Sequence, residues 1–150
     1  MAQTLVRVLV HLIFSTKERA NLIQPEVEAE LCAYLAGIAS NLHSPCLAVN
    51  GTRDHVHMLV SQWKNLALAK LVEEVKKGSS KWIKTKGAAF RGFHWQDGYA
   101  AFSVSQSKVA DVEAYIAGQK EHHRRRSFQE ELIQFLRRHG VEYDQRYIWT

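Results

Sequence analysis

The stretch Pro45–Gln62, PCLAVNGTRDHVHMLVSQ, decides the fold. Two short apolar runs flank an Asn50-Gly51 pair, a dipeptide suited to a two-residue hairpin turn because both positions accept positive φ. The pattern predicts two antiparallel neighbours turning at Asn50-Gly51. Inside the second run His55 and His57 stand two residues apart, and alternate residues of a strand point the same way. Both imidazoles therefore share one face while Val56 and Met58 take the other. Two such rings can hold one ion, although an isolated H-x-H pair is more often a surface or satisfied core pair.

Working upstream, Leu5 to Ser15 alternate cleanly. Val6, Val8, Val10, Leu12 and Phe14 share one face, and Arg7, Leu9, His11 and Ile13 the other, which predicts a first strand. Pro25 suits the first turn of a helix, and Val27, Leu31, Leu35 or Tyr34, Ile38 and Leu42 recur at helical spacing to about Asn41. Downstream, Leu68, Leu71, Val72, Val75, Ser79, Trp82 and Ile83 predict a second helix from Asn65 to about Lys84, with lysines on its outward side. GYAAFSVS, rich in β-branched and aromatic residues, predicts a fourth strand.

The order βαββαβ predicts an α+β fold of ferredoxin-like type, one antiparallel sheet with two helices on one face and strands one and three at its centre. His55 and His57 would then open a central strand. Ser107 is expected to cap a third helix from Lys108 to about Arg125. Ser127 with Glu130 forms a capping box for a fourth that ends near His139-Gly140. The tail VEYDQRYIWT is expected to pack on the body or on a second subunit.

At 150 residues the chain fits a single domain, 1–150, with no internal repeat or linker. Hydrophobic residues at 46% and charged residues at 23% exclude a disordered or fibrous chain. The net charge of +5 and pI of about 9.3 are compatible with a polyanionic partner. Cys32 and Cys46 form no C-x-x-C pair, so neither a disulfide framework nor a zinc-thiolate site is indicated, and a reducing cytoplasm is the expected location. Arg7 and His11 interrupt the only long apolar segment, which speaks against a signal peptide or membrane span.

VEAYIAGQKEHH adds chemistry to the histidine pair. Tyr115 and Gln119 are four apart on the expected third helix and therefore share a face. A helical tyrosine is usually packing and a glutamine usually nothing. Together with H-x-H on a central strand of a basic chain, they are the parts needed for metal-assisted attack on a phosphodiester. His11, on the neighbouring strand, suits a supporting role better than direct ligation, and Asp54 is placed to orient an imidazole or end the turn. Lys76, Lys77, Lys81, Lys84, Lys86 and Arg91, interleaved with Trp82, Phe90, Phe93 and Trp95, form the expected DNA-contacting segment; the bland alternative is a solvated helix face. HHRRR, His122 to Arg126, either touches DNA or favours the end of its helix through the macrodipole.

HLIFSTKER, DHVHMLV, WQDGYAAFSVS, YIAGQKEHH and SFQEEL, in this order over nearly the whole chain, resemble the single-tyrosine transposases of small bacterial insertion sequences. This superfamily is named for its His-hydrophobic-His motif, and REP-associated tyrosine transposases are among its members. The resemblance implies that His55, His57 and Gln119 are metal ligands and Tyr115 the nucleophile. It also implies single-stranded or hairpin DNA as partner, cleavage and rejoining through a 5′-phosphotyrosine, and a homodimer whose site is shared between subunits. Two imidazoles and one amide oxygen leave coordination positions open and suit Mg²⁺ or Mn²⁺. The alternative within the resemblance is a domesticated, non-mobile hairpin-binding regulator.

Two rivals fit less well. An RNA-recognition module shares βαββαβ but needs aromatic stacking platforms where this chain has VHLIF and HVHMLV. A two-histidine phosphoesterase needs two H-x-Thr/Ser motifs, and here Met58 and Leu59 follow His57.

Overall fold

The computed structural model describes residues 1–150. Its strands are β1 (Leu9–Ser15), β2 (Cys46–Gly51), β3 (His55–Ser61) and β4 (Ala100–Val104), all antiparallel in the order β2-β3-β1-β4. The two central strands are β3 and β1, as the ferredoxin-like order requires. The helices are α1 (Pro25–Asn41), α2 (Leu68–Ile83), α3 (Val109–Ala117), α4 (Gln119–His122) and α5 (Phe128–Arg138).

Alternation along β1 and β3 sends Val10, Leu12, Phe14, Val56, Met58 and Val60 into the main core with α1 and α2. Helix α1 supplies Val27, Leu31, Leu35 and Ala39, and α2 supplies Leu71, Val72, Val75 and Ile83. The other face carries Leu9, His11, Ile13, His55, His57 and Leu59, and it is covered by residues of α3 to α5. The sheet is thus enclosed on both faces. A smaller cluster of Ile13, Phe102, Phe128, Leu132 and Leu136 docks α5, and Tyr143, Ile148 and Trp149 of the tail pack against it.

Three elements differ from the sequence expectation. Strand β1 begins at Leu9 because its partner β3 ends at Ser61, opposite Leu9. Beyond it only the Gln62 N–H, donating to the Val8 carbonyl at 2.8 Å, continues the pairing, and Leu5, Val6 and Val8 are exposed. The hairpin turns at Thr52–Asp54, while Asn50 and Gly51 lie in β2 opposite His57 and Val56. Gly51 is required there by close approach: a Cβ would sit 2.6 Å from the His55 carbonyl oxygen. Finally, the expected third helix breaks at Gly118 into α3 and α4. Lys108, at the end of a 3-10 turn, precedes α3 where Ser107 was expected as cap. Ser127 does cap α5, its hydroxyl accepting from the Glu130 N–H.

Candidate active site

The pleat of β3 delivers His55 and His57 to the face away from the main core, and both are completely buried. Each ring is fixed through Nδ1. Asp54 lies 2.7 Å from His55 Nδ1 and the Thr52 hydroxyl 2.9 Å from it, so the hairpin turn orients this imidazole. His11 Nε2 lies 2.8 Å from His57 Nδ1, across from the adjacent strand. Both Nε2 atoms are left facing inward, the arrangement in which a neighbour on one ring nitrogen presents the other as a ligand.

Asn50 positions the opposing helix. Displaced from the turn, its side-chain amide donates to the carbonyls of Ile116 and Ala117 at 3.0 and 3.2 Å. This ties the last turn of α3 to β2 and satisfies carbonyls that have no partner within the helix. Tyr115 and Gln119 reach the histidines from that anchored end despite the break at Gly118. The Gln119 Oε1 is 3.3 Å from His55 Nε2 and 3.0 Å from His123 Nε2. The Tyr115 ring stacks on His122 and lies edge-on to His57.

At the centre stands Glu131 of α5. Its Oε1 is 2.9 Å from His57 Nε2, 3.2 Å from His123 Nε2 and 3.5 Å from His55 Nε2. Its Oε2 accepts from the Tyr115 hydroxyl and, at 3.2 Å, from the Gln119 amide. No buried side-chain polar atom of the chain lacks a partner. One carboxylate therefore joins the nucleophile candidate, the amide and three imidazoles.

The electrostatics follow from this packing. Burial favours a protonated Glu131 carboxyl, but its bonds to His123, His55 and His57 outweigh burial and hold its pKa well below the usual range. Burial, opposed by Glu131, lowers His57 to about 4, and burial with the neighbouring His57 lowers His11 to about 3. For His55 burial is outweighed by Asp54 and Glu131, and its pKa is raised. Burial and the adjoining carboxylate push the Tyr115 phenol above its ordinary value. The arrangement separates a neutral imidazole on His57 from a charge-accepting one on His55.

The donor set fits a divalent ion. Ligand atoms of His55, His57, His123 and Glu131 lie within 4.8 Å of one another, and the rings are already braced from behind. Imidazole with carboxylate suits first-row ions such as Mn²⁺ better than a hard, all-oxygen Mg²⁺ shell.

Of the residues singled out in the sequence, Tyr115, Gln119, His55 and His57 are brought together, with His11 and Asp54 behind them. Lys76, Lys77, Lys81, Lys84, Lys86 and Arg91 are not: they belong to α2 and the segment after it, on the opposite side of the sheet. Lys76 donates to the Gln96 and Gly98 carbonyls, and Lys86 pairs with Glu30. Two further residues join the site that the sequence reading did not assign to it, His123 having been read only as part of HHRRR. His123 continues the spacing of Tyr115 and Gln119 by four, and Glu131 interrupts the apolar stripe of Phe128, Leu132 and Phe135. An acid in a buried stripe was the signal.

A ferredoxin-like sheet with a histidine pair facing a helical tyrosine is the arrangement that the sequence resemblance implies. Residues 4–119 match the family described as "Transposase IS200 like". The chain is 27% identical over 114 residues to the ISDra2 transposase TnpA of Deinococcus radiodurans, covering 73% of this chain and 81% of that protein. A solved structure assigned as a transposase of D. radiodurans R1 superimposes with a TM-score of 0.62 at 24% identity, over 79% of this chain and 95% of the other. A REP-associated tyrosine transposase bound to a REP hairpin gives 0.58 at 11% identity, over 82% and 73%. The chain belongs to the IS200-like transposase family. His123, Glu131 and all of α5 lie beyond the residues matched to it.

Proposed function

We propose that the protein cleaves and rejoins single-stranded DNA at hairpin-flanked ends, with Tyr115 as nucleophile. The observation that carries this reading is the Tyr115 hydroxyl donating to the Glu131 carboxylate that also contacts three imidazoles. In the cleavage step the Tyr115 oxygen forms a bond to phosphorus and the bond from phosphorus to the 3′-oxygen breaks. The phenolic proton is released to solvent as the bond to phosphorus forms, and the departing 3′-oxygen takes up one in return. The product is a 5′-phosphotyrosine with a free 3′-hydroxyl. Because the phosphodiester is exchanged and not hydrolysed, the reverse attack rejoins strands without an external energy source.

His55, His57, His123 and Glu131, with Gln119 beside them, would hold a divalent ion, Mn²⁺ or Mg²⁺; when bound it neutralises charge on the phosphoryl oxygens. Asp54 and His11 keep the ring nitrogens aimed, and Asn50 keeps the Tyr115 helix against the sheet. Lys77, Lys81, Lys84 and Arg91 have no salt-bridge partner, so the α2 side is available for hairpin phosphates remote from the site.

The test is incubation with Mn²⁺ and single-stranded DNA from the flanks of the gene. A covalent adduct should form on Tyr115 and vanish in Tyr115→Phe while hairpin binding persists. An adduct that survives this substitution would assign the nucleophile elsewhere, and a wild type that binds hairpins without ever forming one is the regulator alternative. Tyr115 meets the histidines of its own chain here, whereas the resemblance implies a homodimer that exchanges this helix. Mixing Tyr115→Phe with His57→Ala protein separates the two. Activity recovered in verified heterodimers means a shared site, and none means that each chain works alone.

A further inference from the structure

Beside the histidine cluster lies an open polar cleft of about 500 Å³, between the β2–β3 turn, the loop after β1 and the start of α5. His123 and Asp54 line it, so it is continuous with the histidine site. Arg19, Arg53 and Arg126 line it as well, each from a different segment of the chain.

None of these three guanidinium groups has a carboxylate partner, although the chain pairs Lys70, Lys86, Lys108, Lys120, Arg124 and Arg146 with acids. Arg126 donates to the Gln134 amide. Arg19 lies over the Trp149 ring, 5.4 Å from its centroid, and donates to the Trp149 carbonyl. Arg53 is on the turn that carries Asp54. Of the two acids lining the cleft, Asp54 is committed to His55 and Thr52, which leaves Glu18 as the uncommitted carboxylate. The cations therefore dominate.

The loop that delivers Arg19 is strained. Glu18 and Arg19 both have φ of 56°, a left-handed conformation unfavourable for side chains larger than glycine. It is held in place by the Thr16 hydroxyl donating to the Ala20 carbonyl and by the Glu18 N–H donating to the Gln96 side chain. The strained loop is thus held beside cations that have no carboxylate partner and next to His123 of the ligand cluster, which marks a place kept for an anionic ligand.

We propose that Arg19, Arg53 and Arg126 form a phosphate-binding subsite for the single-stranded DNA backbone, next to the bond that Tyr115 attacks. The inference rests on the proposed function. Arginine matches phosphate with paired donors, and three of them on separate segments fix a strand's path without reading its bases. The subsite also takes in Arg126 of the HHRRR run, which lines this cleft while its guanidinium donates to Gln134.

The experiment measures binding, not turnover. A fluorescein-labelled oligodeoxythymidylate is titrated with full-length protein in chelator, and anisotropy is recorded over a series of salt concentrations. For single strands the slope of log affinity against log salt falls by about 0.7 for each phosphate that is no longer neutralised. Arg53→Gln should lower the slope by about 0.7, and Arg53→Gln with Arg126→Gln by about 1.4, with thermal unfolding unchanged. A wild-type slope in a folded Arg53→Gln protein overturns the subsite and leaves the tyrosine chemistry standing. A wild type that does not bind the oligonucleotide also overturns the subsite, while the proposed function stands or falls on the Tyr115 adduct. Inorganic phosphate at constant ionic strength should leave the anisotropy unchanged; displacement by it would give the cleft to a free anion instead.

Discussion

On the face turned to α1 and α2, β1 and β3 present Val10, Leu12, Phe14, Val56, Met58 and Val60, all within one apolar core. On the face turned to α3, α4 and α5 the same two strands present His11, His55 and His57 among Leu9, Ile13 and Leu59. Both sets are buried, yet they are held by different forces. The first needs only close packing. The second buries groups that water would otherwise solvate, and it is tolerable because each finds a partner of fixed geometry. Stability should therefore reside mainly in one face and chemistry in the other.

The largest expected effect comes from the apolar face. Leu12→Ala leaves a void between the sheet and its helices and should cost about 2–5 kcal/mol in urea unfolding, while the folded fraction keeps wild-type metal affinity. A drop in affinity in that fraction would break the division between faces.

Next comes acid. His11 and His57 have pKa values lowered from 6.5 to about 3 and about 4, so the folded state binds fewer protons than the unfolded. The stability they contribute is fully present above pH 6.5 and is lost as pH falls toward 4. Asp54 and Glu131, also depressed, add their loss only below the ordinary carboxylate range. His55, raised, acts in the opposite sense: its contribution is present below pH 6.5 and lost as pH rises through its folded value. Metal-free protein should show a melting temperature that already falls between pH 6.5 and 5, by differential scanning fluorimetry. A flat profile there would mean that these histidines are not buried neutral.

Glu131→Ala should lower affinity for Mn²⁺ by roughly tenfold or more in calorimetric titration and cost about 1–3 kcal/mol of stability, since it leaves imidazoles and the Tyr115 hydroxyl without their partner. Unchanged affinity would confine the ion to His55, His57, His123 and Gln119. The smallest effect belongs to Ser127→Ala, about 1 kcal/mol from removal of the cap of α5. Because α5 carries Glu131, the same substitution should speed amide exchange over the start of that helix.

The sheet was legible in the sequence because period-two alternation in β1 and β3 is strong and because burial of both faces leaves little freedom of register. The Asn50-Gly51 pair misled for a physical reason. Its glycine answers to the His55 carbonyl and its asparagine to the end of α3, the second of which is far away in sequence. Tyr115, Gln119, His55 and His57 were legible because each pair is close in sequence and follows one periodicity. Glu131 was not: in sequence it stands beside the Glu130 of a capping box, and only docking of α5 shows which of the two glutamates turns inward. The lysines of α2 are evident as a charged stripe, but no one-dimensional pattern tells which side of the sheet a stripe will face.

Helix α5 has a further consequence, in kinetics. His55, His57, Gln119 and Glu131 are all sealed from solvent, and the last of them arrives with the final helix of the chain. During synthesis β1 to β4 emerge before α5, so the imidazoles first meet water and ions without their carboxylate. Once α5 docks, the proposed ion has two routes of exchange, past His123 on the open cleft or by opening of that helix. A rate of Mn²⁺ removal that does not rise with chelator concentration would measure the opening of α5 directly, and a rate that rises with chelator would assign the route to the cleft.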